Sequence, residues 1–379
     1  MATSIQQVLN PFILTGMITE QAGGVPKFCP DLPELDTKTV KASYDILRYL
    51  MVKDTRQSAP QRPYGSPASQ AAQQAIRDKQ VTIPSFGPEF IQFTMSDLRN
   101  LMGYNGPAMM EKGSDEITRQ SKQFAIRYGN ARQVAKAQLF ANAGKIYWDS
   151  HGNFSTTDLS ASGGVTMDSL VPSGNKTTCG DAAFGTANLA GTTSTGYWTD
   201  PNTPILYQIA GLKRQALKTS GLPIKIMMYG IGIPTLLKQN VYVKAMSDYQ
   251  SVMANKFALG EIPDKFLGID KWVPAGEWFY EDSAGTNQSL IGDNFLAAMP
   301  DFSAADWYAM GLGQTDVPKR FSLTAMSVEE LLGDIRTVEG LYQYAVPLHN
   351  PLRLQMFMGD CAAPLFTNPN APFFPTVAA

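Results

Sequence analysis

Histidine and cysteine are the scarcest reactive residues of this 379-residue chain: two histidines, His151 and His349, and three cysteines, Cys29, Cys179 and Cys361. Nucleophilic catalysis needs a base beside its nucleophile, and neither histidine accompanies a G-x-S-x-G serine or a cysteine in a recognisable setting. The cysteines are odd in number and far apart. That spacing excludes a disulfide framework or a paired zinc site, and they read as reduced thiols of a protein made in a cytoplasm. Charge is also sparse, 17% of residues with a net of −2, so nothing draws the chain as a whole toward nucleic acid or an anionic membrane. So little charge on a chain of this size points to surface covered by other subunits. The longest apolar run, Ile224 to Leu237, contains Lys225 and Pro234 and is too short to span a bilayer. The opening residues lack the basic start of a signal peptide, the first lysine being Lys27. A soluble, unexported protein without metal or cofactor is the expectation.

What is present is led by one helical pattern, Ser114 to Ala143. Ile117, Phe124, Tyr128, Ala131, Ala135, Leu139 and Ala143 recur at steps of three, four or seven and share one helix face. Arg119, Lys122, Arg127, Arg132 and Lys136 are assigned to the opposite, solvated side. Asp115 and Glu116 suit the positive end of the helix dipole, and Gly144 supplies a stop. The stripe is rich in alanine and poor in leucine at heptad spacing. It therefore predicts a spine laid across a sheet rather than a coiled-coil seam.

Around the spine the composition alternates. Met1 to Leu35 carries Pro11, Pro26, Pro30 and Pro33 and reads as an extended arm with Phe12, Ile13, Leu14 and Phe28 to bury, on its own domain or on a neighbour. Val40 to Val52 predicts a strand with Val81 to Phe86 as its returning partner. Between them Lys53 to Gln80 has almost no large apolar residue, and the pattern predicts a long two-stranded flap. Met95 to Met102 is a short helix candidate, and Lys145 to Phe154 a hairpin turning at Asp149 to Gly152. Ser155 to Thr195 is rich in Gly, Ser and Thr. A helix at Pro204 to Ser220, strands at Ile224 to Tyr229, Lys271 to Val273, Glu277 to Tyr280, Ser289 to Ile291 and Phe295 to Met299, and a helix from Pro234 to Gln239 imply an α+β second domain. Ser327 to Gly340, with Glu329, Glu330 and Asp334, reads as a short helix with a solvated acidic face. Leu341 to Val346 and Leu352 to Met358 read as strands returning to the sheet under the spine. The tail from Asn368 is Pro-rich and reads as a second arm.

The one enzyme-like signal is Gly230-Ile-Gly232, a G-x-G between a strand and a helix, as in a turn that cradles a pyrophosphate. The third glycine of that fingerprint is Thr235 here, and Asp248 is the only acidic residue near the ribose-binding position. An NAD(P)-dependent oxidoreductase is the rival reading this leaves. Asp149 beside His151 reads as a polar turn rather than a metal pair.

Taken in order, the parts resemble a tailed-bacteriophage major capsid protein of the Hong Kong 97 fold, nearest the lambda-type major capsid family. Tyr44 to Pro60, Ala141 to Phe154, Tyr197 to Val243 and Leu365 to Phe374 carry the resemblance through their order, which covers most of the chain. The resemblance implies an α+β capsid fold with an N-terminal arm (1–42), an E-loop region (43–86), a peripheral domain (87–165), an axial domain (166–335) and returning peripheral strands with the tail (336–379). It implies a non-enzymatic subunit of hexamers and pentamers in the head of a virion, assembled in the host cytoplasm around double-stranded DNA touched without sequence preference. Portal, scaffolding and decoration proteins are the further partners it implies, with no membrane. Contact residues would be Phe12 and Phe28 in the arm and Arg56, Arg62, Tyr64, Arg77 and Lys79 in the flap. A different virion part, a scaffold or portal component, also accounts for arms and flaps.

Overall fold

The computed structural model describes residues 25–42, 46–52, 76–84, 88–94, 96–97, 99, 107–179, 196–248, 256–257, 259–275, 279–281, 286–303, 306–318, 335–349 and 352–378. In chain order these form α1 (Glu34–Thr37), β1 (Thr39–Lys41), β2 (Ile46–Val52), β3 (Ile76–Thr82), β4 (Glu89–Phe93), α2 (Pro107–Ala141), β5 (Lys145–Trp148), β6 (Val165–Asp168), α3 (Ile205–Thr219), β7 (Ile224–Tyr229), α4 (Ile233–Gln239), α5 (Val241–Asp248), β8 (Lys271–Pro274), β9 (Phe279–Glu281), β10 (Asn287–Ser289), β11 (Leu296–Pro300), β12 (Ala309–Leu312), β13 (Gln314–Pro318), β14 (Ile335–His349) and β15 (Leu352–Leu365). The fold is α+β.

The spine helix α2 runs 35 residues, about 50 Å at 1.5 Å per residue. It begins seven residues before the expected start. Pro107 at its first position suits a helix, since the missing N–H is one no helix bond needs there. At its other end Ala143 and Gly144 take positive φ and the Gly144 N–H closes on Leu139 O at 2.7 Å. A Cβ on Gly144 would stand 2.6 Å from Val171 Cγ2, so the stop is reserved for glycine.

The helix lies on the long antiparallel pair β14–β15. Phe124 and Ala125 pack on Leu341 and Met358, and the Tyr128 hydroxyl donates to Met358 O at 3.0 Å. The Arg132 guanidinium grips Asp360 with two parallel hydrogen bonds, Nε to Oδ2 at 2.6 Å and Nη2 to Oδ1 at 2.8 Å. Gly340, at φ +68°, leaves room for that guanidinium. Here the sequence reading needs correction. Arg132 and Lys136 lie opposite the apolar stripe, yet Arg132 is spent on the sheet and Lys136 is buried. Every residue from Gln133 to Phe140 is buried, because the arm covers the face the sheet leaves open.

The main sheet has the order β1-β12-β15-β14-β13, with β4 also on β15. β15 is long enough to pair β14 on one edge and, on the other, β4 through Leu354–Met358 and β12 through Leu365–Ala362. A second sheet, β11-β7-β8, is buried on both faces, and its alternation decides which core each residue joins. Ile226, Met228, Val273, Ala297 and Met299 point into the core shared with the spine and the main sheet. Met227, Tyr229, Trp272, Leu296 and Ala298 point into a second core closed by α3. That helix buries Ile205, Gln208, Ile209, Leu212 and Ala216, one face of an amphipathic helix. Its one buried polar group is satisfied, Gln208 accepting from Trp198 Nε1 at 2.8 Å and donating to Gly196 O at 2.9 Å.

Four further expectations change. Val40 to Val52 is two strands: β1 joins β12 in parallel, and β2 pairs with β3. The partner of β5 is β6 rather than the residues after Gly152, which reach it only through a Trp148–Phe154 bridge. Ile335 to Gly340 belongs to β14, not to a helix, and Glu329, Glu330 and Asp334 lie outside the described residues. The tail is not an arm: Ala371 and Phe374 fill the first core, Phe373 and Val377 the second, and Phe373 bridges Ala298 of β11.

Candidate assembly surface

Three features are candidates for contact with other molecules. The first is the ribbon β2–β3, paired in antiparallel register from Ile46 with Thr82 to Val52 with Ile76, and joined to no third strand among the described residues. Its base is fixed by Leu47, Val81 and Ile83 in the first core. A two-stranded ribbon alone is marginal in water, so the part beyond the base gains stability from whatever surface it meets. The returning strand, expected at Val81 to Phe86, is instead β3 at Ile76–Thr82, which begins inside the expected flap of Lys53 to Gln80; residues 53–75 lie outside the described residues.

The second is a cleft of about 490 Å³ between α2 and the edge strand β4, lined by Pro88, Glu89, Phe90, Ile91, Gln120, Gln123, Phe124 and Arg127. Arg127 closes one side on Glu89 at 3.0 Å. Phe90 is 54% exposed and heads an aromatic row across the sheet, 5.5 Å from Phe357, which stacks on Tyr344 at 5.1 Å. Sequence reasoning missed this site, because Ile91 and Phe124 become neighbours only through the β4–β15 pairing.

The third is a set of exposed apolar side chains on the second lobe, the part of the chain packed around the second core: Leu206 and Tyr207 on α3, and Val241, Tyr242 and Met246 on α5. Burial within the chain does not account for five such residues on two touching helices.

The contact residues expected from the sequence divide in three. Phe12, Arg56, Arg62 and Tyr64 lie outside the described residues, and Arg77 and Lys79 sit on β3 opposite Met51 and Tyr49. Phe28 is a correction. It is 3% exposed and stacks on Phe140 of its own chain at 6.2 Å, so it serves this core and is not offered to a neighbour.

The catalytic readings lose their geometry. The amide of Gly230 donates to Phe295 O and that of Gly232 to Asp293 O, both at 2.8 Å, so neither is free for a pyrophosphate. The glycines are explained by packing, since a Cβ on Gly230 would stand 2.4 Å from Gly292 O. His151 is exposed in a turn whose Asp149 carboxylate accepts the backbone N–H groups of His151 and Asn153, each at 2.8 Å. All three cysteines are buried and none is in a disulfide. Burial pushes the Cys29 thiol up to about 12, with Asp31 adding to the shift and Lys271 opposing it. Burial raises Cys179 as well, so both are protonated at neutral pH and unsuited to attack. Among the described residues no three His, Cys, Asp or Glu side chains converge as a metal site, and no helix is long and apolar enough to cross a membrane.

No protein-family model and no curated protein sequence matches the chain. Solved structures do resemble it in chain course. A phage-related protein from Bordetella bronchiseptica RB50 is 11% identical, the match covering 98% of each chain, at TM-score 0.41. The capsid of cyanophage A-1(L) is 11% identical over 92% of this chain and 93% of the other, also at 0.41. The capsid of a native GTA particle is 10% identical over 92% and 90%, again at 0.41. At such identities and scores the likeness describes a path of the chain, and function rests on the geometry above.

Proposed function

We propose that this chain is a major capsid protein, a subunit that self-assembles into the hexamers and pentamers of an icosahedral phage head enclosing double-stranded DNA. The observation that carries this reading is the ribbon β2–β3, rooted in the same core as the long spine helix yet paired with no other strand among the described residues. A limb of this kind suits a subunit that completes its contacts on adjacent copies. The exposed apolar residues on α3 and α5 give the second lobe a surface for the same purpose. A closed shell needs many modest contacts per subunit, and interlaced limbs enlarge the buried area without any one contact becoming irreversible. In this reading residues 53–80 are the extended loop, α2 is the spine of the peripheral domain, and the region between about 166 and 335 supplies the axial domain at capsomer centres. The subunit has no catalytic role. Portal, scaffolding or decoration proteins and packaged DNA are its further partners, with assembly in the host cytoplasm.

Electron microscopy of the chain expressed alone tests the reading. The expected images are uniform closed shells or rings of capsomer size. A field of single compact particles at every concentration would count against it.

A further inference from the structure

Residues Val25 to Lys41 run from the three-stranded sheet, across the spine helix, to the edge of the main sheet. One end is tied to β8 of the three-stranded sheet, where Cys29 Sγ donates to Pro274 O at 3.7 Å and Lys271 Nζ donates to Asp31 O. The other end is β1, the parallel edge strand of the main sheet on β12, with Met310 N–H donating to Lys38 O at 2.8 Å. Between these ends the segment lies on the spine helix. Phe28, Leu32 and Leu35 bury themselves in the first core, and the Tyr308 hydroxyl donates to Leu35 O at 3.1 Å.

The polar attachment to the helix converges on one carboxylate. Asp36 accepts from Lys136 Nζ and from Gln133 Nε2 at 3.2 Å, with Lys27 Nζ at 3.5 Å. Gln133 uses its other end to accept the Phe28 N–H at 3.0 Å, so one buried amide fixes both the start and the middle of the segment. Only 3% of the Lys136 side chain is exposed. The charged neighbours are otherwise cationic: Lys27 on the segment itself and Arg132 on the helix, whose own carboxylate is Asp360. The Tyr308 phenol is the remaining titratable group that faces Asp36, and burial keeps it protonated.

We propose that Val25 to Lys41 is a releasable strap: Asp36 on Lys136 is its catch, and loss of the Asp36 charge lifts the strap from the spine helix and loosens its link between the three-stranded sheet and the main sheet. The physical reason is the buried ammonium. With Asp36 ionised, Lys136 has a counter-ion; without it, Lys136, Lys27 and Arg132 crowd one patch with a single carboxylate already committed to Arg132. Water then becomes the better partner for Lys136, and the strap is what stands between it and water. The sign with pH follows. Burial alone would raise the Asp36 carboxyl, but the hydrogen bond and charge of Lys136, with Gln133 and Lys27, hold it below the usual carboxylate range. The catch is therefore closed at neutral pH and opens only as pH falls through that lowered value. The device belongs to the single chain and does not depend on the proposed capsid function.

The cysteines supply the test. Cys29 lies in the strap and Cys361, in β15, shares the first core with it, whereas Cys179 lies in the second core, and all three are buried. Pulsed alkylation with N-ethylmaleimide, followed by peptide mapping, reads the three sites in one sample of the full chain. Asp36→Asn is expected to raise labelling of Cys29 by about tenfold or more with Cys179 unchanged and Cys361 rising less than Cys29, as for a local opening. Asp36→Asn combined with Lys136→Met is expected to return Cys29 to its wild-type rate, since no charge is left to hydrate. Equal rises at all three sites would overturn the proposal in favour of global loosening. So would no rise at Cys29, the outcome if Lys136 simply sheds its proton under a closed strap. Should Asp36→Asn yield no folded protein, the wild-type chain labelled at stepwise lower pH, each rate divided by that of a free thiol, gives the same reading. Selective gain at Cys29 supports the catch, and uniform gain or none refutes it.

Discussion

Replacing Phe140 with alanine is expected to remove about 3–5 kcal/mol of stability, the range for deleting a fully buried aromatic side chain. Phe140 is wholly buried, and three rings surround it: Phe28 of the arm at 6.2 Å, Tyr308 at 6.2 Å and Phe366 edge-on at 5.4 Å. These come from segments that meet nowhere else in sequence, so the vacated space is walled by the arm, the turn into β12 and the end of β15. Such a site collapses poorly. Urea unfolding followed by circular dichroism measures the loss. Ile126→Ala, on the same helix but 46% exposed, is the control and is expected to change stability by no more than about 0.5 kcal/mol. Equal effects at the two positions would contradict the placement of the helix on its core.

The second large effect is at Arg132. Its guanidinium holds Asp360 through two short hydrogen bonds, and the side chains are 25% and 8% exposed. Arg132→Ala leaves the Asp360 carboxylate enclosed without a counter-ion, which costs about 3–5 kcal/mol when a buried pair loses one partner. Removing both, Arg132→Met with Asp360→Leu, is expected to recover most of that loss, because two apolar groups need no solvation. The measurement is a double-mutant cycle in urea. Additive losses would mean that the pair is solvated and that the helix is held to β15 by packing alone.

These two residues also show where sequence reasoning succeeds and where it stops. The helix was legible from Ile117 onward because its apolar spacing is local, and so was the α3 stripe from Ile205 to Ala216. The strands β7, β8 and β11 were legible as dense apolar runs. Local periodicity cannot see a covering segment that arrives from a hundred residues away. Lys136 sits on the face opposite the stripe and was therefore read as solvated, yet Asp36 of the arm covers it. The tail was misread for a related reason: Pro372 and Pro375 break any period, while Phe373 and Phe374 between them fill two different cores. In Ile335 to Gly340 an apparently helical run gave way to the β13–β14 pairing, since β-branched Ile335, Thr337 and Val338 suit a strand and Gly340 provides the positive φ where the strand passes Arg132 and meets β15. The cleft beside Phe90 was invisible, because nothing in the string Glu89 to Phe93 says which strand it will join.

The central claim is that the limbs of this subunit find their partners on other copies, and the ribbon is the limb best placed to test it. Removing residues 55–79 keeps Leu47, Val81 and Ile83, the core residues at the ribbon base. Sedimentation velocity on the full chain and on this deletion, under the same conditions, is the most direct measurement. The full chain is predicted to sediment as capsomers or shells and the deletion as a folded monomer with unchanged circular dichroism. A full chain that stays monomeric at all concentrations, or a deletion that assembles equally well, would contradict the account.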